Sequence, residues 1–382
     1  MSTRPPSVLL VVGAMNRGGI ESWLMNVARA VPPEEVRLTF LVHSDRPSDF
    51  DDEIRALGHH LAVCRLGRDP VGYAVRLARL MRSEGPFDAV HAFVSTFSAL
   101  PLTVARLVGV PVRIAHSQTD RRAVLATAGP ARRAYSALAS WGLRRSMTLG
   151  MACTVGASEF LFRRDPQDDP RIRVVPNAID PRPFADAVGT LRADLMLPDD
   201  ALVVGHVARF VPVKNQGFLV EVARRWAAQG DPVHLVLVGE GPDRPAVEAT
   251  VAAAGLTGRV HLTGLRTDIP GVMADLDVLV LPSLWEGAPI TLVEAQASGV
   301  PCVVSAEVTG ATDVVPGLVT SMPTGAGADA WAAEVLAAAR RPGPSRADAQ
   351  AVLVDSAWNL DVVVPVLRAA WSGEDASGGR RG

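Results

Sequence analysis

The chain has 382 residues, a length that corresponds to two or three domains of ordinary size. Its 38 Lys and Arg residues against 40 Asp and Glu residues give a net charge of −2, which excludes a generally basic nucleic-acid-binding protein. With 48% hydrophobic and 20% charged residues, the composition is that of a globular protein with a buried core and not that of a disordered chain.

The cysteines and the absence of long apolar runs narrow the class of protein further. Cys64, Cys153 and Cys302 are far apart and form no CxxC pair, which favours reduced thiols and argues against a disulfide framework or a zinc site. Lys214 is the only lysine among the basic residues. No apolar run approaches the roughly 18–20 residues that a membrane helix needs. We therefore expect a cytoplasmic protein.

The first half of the chain alternates short aliphatic runs with helical patterns, which is typical of βαβ units around a parallel sheet. We predict strands at residues 7–12, 36–42, 89–93, 112–115, 151–155 and 172–175, and a first helix over about 21–31. Gly18 and Gly19 lie between the first strand and that helix. Glycines at a helix start let a backbone approach a phosphate closely, although a plain tight turn would use the same residues.

A basic stretch follows within this half. Between Arg121 and Gly150 there is no acidic residue, while six arginines are interleaved with Leu125, Tyr135, Leu138, Trp141 and Leu143. This pattern fits a helix pair that lies on anionic lipid, but also an ordinary solvated helix face.

The second half repeats the βαβ scheme after a turn at residues 176–180. We predict strands at 202–207, 234–238, 260–262, 278–281 and 302–305, with helices at about 216–228, 244–254, 269–274 and 290–297. The predicted domains are residues 1–180 and 181–358. Residues 359–382 are expected to form a C-terminal helix, which could cross back to the first domain, and a disordered tail. Ligands of such sheets bind at the carboxyl ends of the strands, and two facing domains would place the site in the cleft between them.

Two cations follow the first strand of the second half. Arg209 and Lys214 are five residues apart in the loop that precedes a helix. An arginine that can bind oxygens bidentately and a lysine that supplies a compact charge suit a diphosphate. The alternative is a pair of solvated loop cations.

Two carboxylates follow a later strand. Glu286 lies in the turn after the strand at 278–281, Pro289 is expected in the first turn of the next helix, and Glu294 lies inside that helix. The helix-start amides of Gly287, Ala288, Ile290 and Thr291 are donors suited to phosphate or sugar oxygens. Each carboxylate can accept from a pair of hydroxyls, although a helix-surface glutamate and a cap-region charge would give the same pattern.

These motifs together resemble the retaining glycosyltransferases of family 4, which have the GT-B fold. The likeness rests on the Gly18-Gly19 loop, the Arg209 and Lys214 pair and the Glu286-x7-Glu294 motif in this order, and it spans nearly the whole chain. The opening segment and residues 112–117 further resemble the branch that makes capsular polysaccharides and exopolysaccharides. Ala288-Pro289 stands where many members have Phe-Gly, so the surface that faces the sugar differs.

The resemblance implies a role for each matching residue. Arg209 and Lys214 would neutralise the departing diphosphate, Glu294 would accept the ribose hydroxyls, and Glu286 would hold hydroxyls of the transferred sugar. His116 would face the reacting sugar, unless it is only a structural residue at the end of a strand. The remaining donor-binding residues would be Gly18, Gly19, Gly264, Leu265, Arg266, Gly287, Ala288, Pro289, Ile290 and Thr291.

The function implied is transfer of a sugar, with retention, from a nucleotide diphosphate sugar to a glycan or lipid-linked acceptor in polysaccharide biosynthesis. UDP is the expected nucleotide, although the residues do not fix the base. No metal and no cofactor are expected; the nucleotide sugar is the donor substrate. Glycosylation of a small-molecule natural product, and a nucleotide-sugar 2-epimerase or hydrolase, remain alternatives. The Arg121–Arg145 region would allow peripheral contact with the inner face of the membrane.

Overall fold

The protein is described by a computed structural model that covers residues 4–308 and 310–374. The chain divides into two compact units. Unit 1 comprises Met1–Ala178 together with Leu360–Gly382, and unit 2 comprises Ile179–Asn359. The last helix among the described residues therefore belongs to unit 1. The disordered tail expected at the C-terminus lies, from residue 375 onward, outside the described residues.

Unit 1 is built on a parallel sheet. Its described strands run in the order β3-β2-β1-β4-β5-β6-β7, and each neighbouring pair is parallel. The strands are β1 (Ser7–Val11), β2 (Arg37–Val42), β3 (His60–Val63), β4 (Ala89–Ala92), β5 (Val112–Ser117), β6 (Leu149–Ala152) and β7 (Ile172–Val174).

Helices connect the strands of unit 1, as parallel pairing requires. They are α1 (Gly19–Ala30), α2 (Asp51–Ala56), α3 (Pro70–Ser83), α4 (Ala99–Leu107), α5 (Arg122–Ala126), α6 (Pro130–Ser146) and α7 (Val155–Phe162). The final helix of the described chain, α16 (Leu360–Trp371), packs against α1.

Unit 2 repeats this architecture with the strand order β10-β9-β8-β11-β12-β13, again parallel throughout. The strands are β8 (Leu202–Val207), β9 (Val233–Val238), β10 (Val260–Gly264), β11 (Val278–Leu281), β12 (Cys302–Ser305) and β13 (Val319–Met322). The helices are α8 (Arg182–Ala185), α9 (Leu191–Asp194), α10 (Gln216–Gln229), α11 (Arg244–Ala253), α12 (Ile269–Ala274), α13 (Ile290–Ala297), α14 (Gly327–Arg340) and α15 (Arg346–Val354).

The core of unit 2 lies between its sheet and the pair α10 and α14. Trp226 and Trp331, on these two helices, are fully buried among aliphatic side chains of β8, β9 and β11. Both indole N–H groups are satisfied: Trp226 donates to the carbonyl of Ala332 over 3.1 Å and Trp331 to that of Pro323 over 3.0 Å. The two residues bury a large apolar area at no cost in unsatisfied polar groups.

Several strands have the predicted bounds, and one prediction is wrong. The strand expected at 151–155 is β6, which ends at Ala152. The side chain of Thr154 instead accepts a hydrogen bond from the amide of Ala157 and caps α7, which begins at Val155. Thr and Val extend an apolar, β-branched run in the sequence, but a capping threonine ends strand character. The first helix likewise begins earlier than predicted, at Gly19.

Candidate active site

The carboxyl ends of β8 and β11 lie side by side in the unit 2 sheet. β8 pairs with β9 on one side and with β11 on the other, so the strand order changes direction between β8 and β11. Such a switch point forms the crevice in which open parallel sheets bind ligands. The loop after β8 carries Arg209 and Lys214, and the loop after β11 carries Glu286. We call Arg209, Lys214, Ser283, Glu286 and Glu294 the β8–β11 site.

Lys214 and Glu286 form an ion pair within this site. Lys214 Nζ donates to Oε1 of Glu286, and Ser283 Oγ donates to the same oxygen over 2.9 Å. The two charged side chains are largely enclosed, with 21% and 12% of their surface exposed. Two predicted site residues that are 72 positions apart are thus in direct contact. Ser283 was not predicted, although it lies only two residues after the end of β11.

A tight turn presents Lys214. Pro212–Lys214 form a single 3₁₀ turn, and Asn215 follows with φ of 57°, in the left-handed region that asparagine tolerates better than most residues. Asn215 Nδ2 donates to the carbonyl of Pro282 over 3.2 Å, and the amide of Leu284 donates to the carbonyl of Val213 over 2.8 Å. These bonds fasten the loop after β8 directly to the loop after β11.

Arg209 differs from Lys214 in being unengaged. Its side chain is exposed, and within residues 4–308 and 310–374 no carboxylate forms an ion pair with it. Its backbone carbonyl accepts a hydrogen bond from Gln216 Nε2 over 2.9 Å, which ties the loop to the start of α10. The site therefore holds one cation already paired with a carboxylate and one that is available to an anion.

The helix after Glu286 has the predicted bounds, but the expected position of Pro289 is wrong. Pro289 is the N-cap of α13, in extended conformation, and not a residue of the first helical turn. The part of the chain that the structure describes supplies no acceptor to the amides of Gly287, Ala288 and Ile290. Thr291 follows in the first turn of α13. Free amides at a helix start favour negatively polarised oxygens.

Glu294 lies in the second turn of α13 and is partly accessible. Burial raises the pKa of Glu294 to about 7, from an ordinary value of 4.5. A carboxylate with few protein partners suits hydroxyl donors, because these satisfy its charged form.

Arg266 was predicted to bind the donor, but its side chain is engaged by neighbouring side chains of unit 2. Its guanidinium forms ion pairs with Asp194 at 2.7 Å and Asp268 at 2.6 Å, and it donates to Thr190 Oγ1 over 3.0 Å. The side-chain hydrogen bond to Asp268 is the main reason why the pKa of Arg266 is raised. Gly264 ends β10 with φ of 76°, a conformation that favours glycine, and Leu265 is 49% exposed. The expected contact of these residues with a nucleobase stays a prediction.

In unit 1, the Gly18-Gly19 loop follows β1 at the switch point between β1 and β4. Gly18 caps α1 in extended conformation, and a Cβ there would lie 2.5 Å from Oε2 of Glu21. A Cβ on Gly19 would have no neighbour within 4 Å. The amide of Arg17 donates to Oδ2 of Asp49 over 2.8 Å, so Asp49 fastens this loop.

His116 is fully buried near the end of β5. Its Nδ1 lies 3.1 Å from Nε2 of His91 on β4, and the Nε1 of Trp371 on α16 donates to Nδ1 of His91 over 3.1 Å. We call Trp371, His91 and His116 the histidine chain. Burial lowers the pKa of His116 to about 3, an effect opposed by the Val175 carbonyl. His91 and Trp371 were not predicted; the only signal for His91 was a polar residue inside an apolar strand.

The basic stretch forms α5 and α6. Arg122 is paired with Asp120 and Glu159, and Arg144 donates to the carbonyl of Phe162 over 2.6 Å, so these two arginines serve the fold. One face of α6 remains exposed and apolar, with Tyr135 at 57%, Leu138 at 66% and Trp141 at 50%. The guanidinium of Arg145 lies over the Trp141 ring at 4.2 Å, and Arg132 and Arg133 are also exposed. Within the described residues no helix is both long and apolar enough to span a bilayer.

Both units match family models. Residues 18–178 match the Glycosyl transferase 4-like domain, and residues 201–340 match Glycosyl transferases group 1. The chain is 35% identical over 368 residues, which is 91% of both chains, to a Bacillus subtilis (strain 168) protein named "Putative glycosyltransferase EpsF".

Two further proteins are similar. The UDP-Gal:alpha-D-GlcNAc-diphosphoundecaprenol alpha-1,3-galactosyltransferase of Escherichia coli is 29% identical over 306 residues, 75% of this chain and 76% of that one. The crystal structure of Anabaena HepE in complex with UDP and glucose has a TM-score of 0.76 at 18% identity, and covers 96% of this chain and 100% of that one.

The chain belongs to glycosyltransferase family 4. Its two parallel-sheet α/β units have the GT-B fold. The protein is a glycosyltransferase.

Proposed function

We propose that this glycosyltransferase transfers a sugar, with retention of anomeric configuration, from a UDP-sugar to a lipid-linked or glycan acceptor. The observation that carries the proposal is the β8–β11 site, in which Lys214, Glu286 and the free amides at the start of α13 converge on one switch point. A pyrophosphate, a ribose and a hexose together need these groups: cations, a carboxylate for each pair of hydroxyls, and N–H donors.

The donor side follows from charge. As the bond between the anomeric carbon and the phosphate oxygen breaks, positive charge builds on the sugar and negative charge on the diphosphate. Arg209 and Lys214 would stabilise the leaving diphosphate, and each well-placed donor of this kind is worth about 3–4 kcal/mol in comparable sites. Glu286 would hold sugar hydroxyls, and Glu294 would accept from the ribose.

Retention requires attack on the face that the leaving group vacates. The acceptor oxygen bonds to the anomeric carbon while its proton passes to the departing phosphate oxygen, so atoms and charge balance without a second carboxylate for double displacement. His116 would contact the transferred sugar. The similarity to a galactosyltransferase named for UDP-Gal and to a protein crystallised with UDP and glucose supports UDP as the nucleotide.

A single-site reporter tests the donor proposal. Because Lys214 is the only lysine, reductive methylation with ¹³C-formaldehyde labels its Nζ and, besides it, only the N-terminal amine. We expect UDP to shift the methyl resonance of the dimethylated Lys214, because its pyrophosphate binds beside the dimethylammonium group. CDP and ADP should bind at least tenfold more weakly.

One outcome of that titration and one outcome of an activity assay with a UDP-sugar would count against the proposal. A Lys214 resonance unmoved by every nucleoside diphosphate at millimolar concentration would overturn the diphosphate site. The enzyme could instead convert a UDP-sugar to its 2-epimer or to free sugar and form no product on any added acceptor. That result would show that it is an epimerase or a hydrolase and would overturn the proposed transfer.

We further propose that the exposed face of α6 lies on an anionic membrane that presents a lipid-linked acceptor. Tyr135, Leu138, Trp141 and Arg145 follow one another at intervals of three or four residues, so they share one helix face. Aromatic and leucine side chains bury their apolar parts at the interface, while exposed arginines pair with anionic headgroups. The acceptor named for the similar Escherichia coli enzyme, a diphosphoundecaprenol, is of this kind.

Liposome co-sedimentation tests the membrane surface. We expect binding to vesicles with 30% phosphatidylglycerol and none to pure phosphatidylcholine. The triple variant Arg132→Gln, Arg133→Gln, Arg145→Gln should lose about 3 kcal/mol of binding at low ionic strength, about 1 kcal/mol for each arginine.

A matched triple variant in unit 2 controls for charge. Arg224→Gln, Arg225→Gln, Arg340→Gln removes the same charge from exposed helix positions and should bind like the wild type. Equal loss in both triples would mean that only net charge matters and would overturn the α6 surface; no binding by the wild type would do the same.

A further inference from the structure

The histidine chain links three separate elements inside unit 1. Trp371 on α16, His91 on β4 and His116 on β5 are 1%, 0% and 0% exposed. The atoms in hydrogen-bond contact are Trp371 Nε1 with His91 Nδ1, and His91 Nε2 with His116 Nδ1, each at 3.1 Å. Trp371 is 280 residues from His91 in the sequence. The helix α16 thus contacts β4, which is the fourth of the seven strands in the order of the sheet.

The direction of these bonds follows from their first member. An indole N–H can only donate, so Nδ1 of His91 accepts. In a neutral imidazole the other nitrogen then carries the proton, and Nε2 of His91 donates to Nδ1 of His116. By the same rule the proton of His116 resides on Nε2. One donor at the start of the chain thus fixes the tautomer of both rings.

Both rings are kept neutral by their surroundings. The rings in contact with His116 are those of Trp23, Phe93 and His91, and those in contact with His91 are Phe93, His116 and Trp371. None of these neighbours is a carboxylate that could stabilise an imidazolium. Burial accordingly lowers the pKa of His91 and of His116.

The outer end of the chain is incompletely satisfied, because the Val175 carbonyl, which acts on the pKa of His116, makes no hydrogen bond of normal geometry with Nε2. Nε2 of His116 is enclosed and has no hydrogen-bond partner of normal length and direction within the described residues. A buried N–H without an acceptor costs about 1–3 kcal/mol, so an oxygen that reaches it gains a bond and removes that cost. Because the atom is enclosed, the covering side chains must move aside when such an oxygen binds.

We propose that Trp371 and His91 are positioning residues that fix His116 as its Nε2–H tautomer, so that His116 serves the transferred sugar as a hydrogen-bond donor and not as a proton acceptor. The contact with the sugar rests on the proposed function; the tautomer does not. A His116 whose Nε2 already holds a proton cannot take one from the acceptor hydroxyl. The departing phosphate is then the group that receives it.

Nitrogen NMR on the full-length protein without substrate tests the tautomer directly. Long-range ¹H–¹⁵N correlation distinguishes protonated from unprotonated ring nitrogens, and the signals of His91 and His116 among the eight histidines are assigned with His91→Gln and His116→Gln. We expect Nε2 protonated and Nδ1 unprotonated in both rings at pH 7.5. A protonated Nδ1 or an imidazolium in His116 would overturn the proposal, whatever the activity shows.

Two Trp→Phe variants separate tautomer control from packing. Trp371→Phe keeps an aromatic ring and removes the donor; we expect mixed tautomers in His91 and His116 and kcat/KM about 3- to 10-fold lower. Trp331→Phe also removes a buried indole hydrogen bond, in unit 2, and should leave the tautomers and kcat/KM as in the wild type. Unchanged tautomers in Trp371→Phe would contradict the positioning role.

Variants of His116 itself test the donor role. His116→Gln retains an N–H donor at the end of the side chain, whereas His116→Phe has none, so the Gln variant should keep at least tenfold more activity. Equal activity of the two variants, with the expected tautomers in the wild type, would leave the tautomer intact and refute the contact with the sugar, which belongs to the proposed function.

Discussion

Replacing Lys214 with Ala is expected to lower kcat by 10²- to 10³-fold at saturating donor, which is the usual effect of removing one preorganised charge-stabilising donor. Its Nζ lies in the β8–β11 site, held by Glu286. Lys214→Arg keeps the charge but not the compact ammonium, and should retain intermediate activity. Steady-state initial rates at saturating UDP-sugar give kcat for each variant.

The variant has a structural side effect that the controls must separate. Lys214→Ala leaves the largely enclosed Glu286 carboxylate without its cation, which destabilises the fold. Urea unfolding of Lys214→Ala and of the double variant with Glu286→Gln measures this loss. Arg224→Ala removes an exposed cation paired with Glu221 on α10 and should be fully active. Turnover by a folded Lys214→Ala within threefold of the wild type would contradict the assigned role.

Glu286→Gln is expected to separate catalysis from nucleotide binding. We expect kcat to fall by at least 10²-fold, because the carboxylate proposed to hold the sugar hydroxyls loses its charge. UDP should bind as well as before or more tightly, because Lys214 is released from its ion pair and faces the pyrophosphate alone. Isothermal titration with UDP and initial rates with the UDP-sugar measure the two effects.

The matched control is Glu334→Gln, which neutralises a glutamate on α14 that is paired with Arg341, and it should change neither quantity. If Glu286→Gln weakened UDP binding by the same factor as kcat, Glu286 would act on the nucleotide or on the fold of the loop and not on the transferred sugar.

The strands that the sequence predicted best are those enclosed on both faces. The predictions at 202–207, 278–281 and 302–305 have the bounds of β8, β11 and β12, because each segment is mostly aliphatic and buried along most of its length. β3 and β13 were not predicted. Both are edge strands of their sheets, and their partly exposed segments, HLAV and VTSM, lack a buried apolar run.

By itself the sequence determined the family and the fold class and predicted candidate donor-binding residues, because short-range signals indicate them: glycines at a helix start, two cations five residues apart, and two carboxylates across a strand-to-helix turn. Only the tertiary structure decided which of these side chains meet. Strand order in the sheet brings Lys214 to Glu286, and the return of the last helix brings Trp371 to His91. Hydrogen bonds between residues so distant in sequence depend on sheet topology, and no local pattern of residue types encodes it.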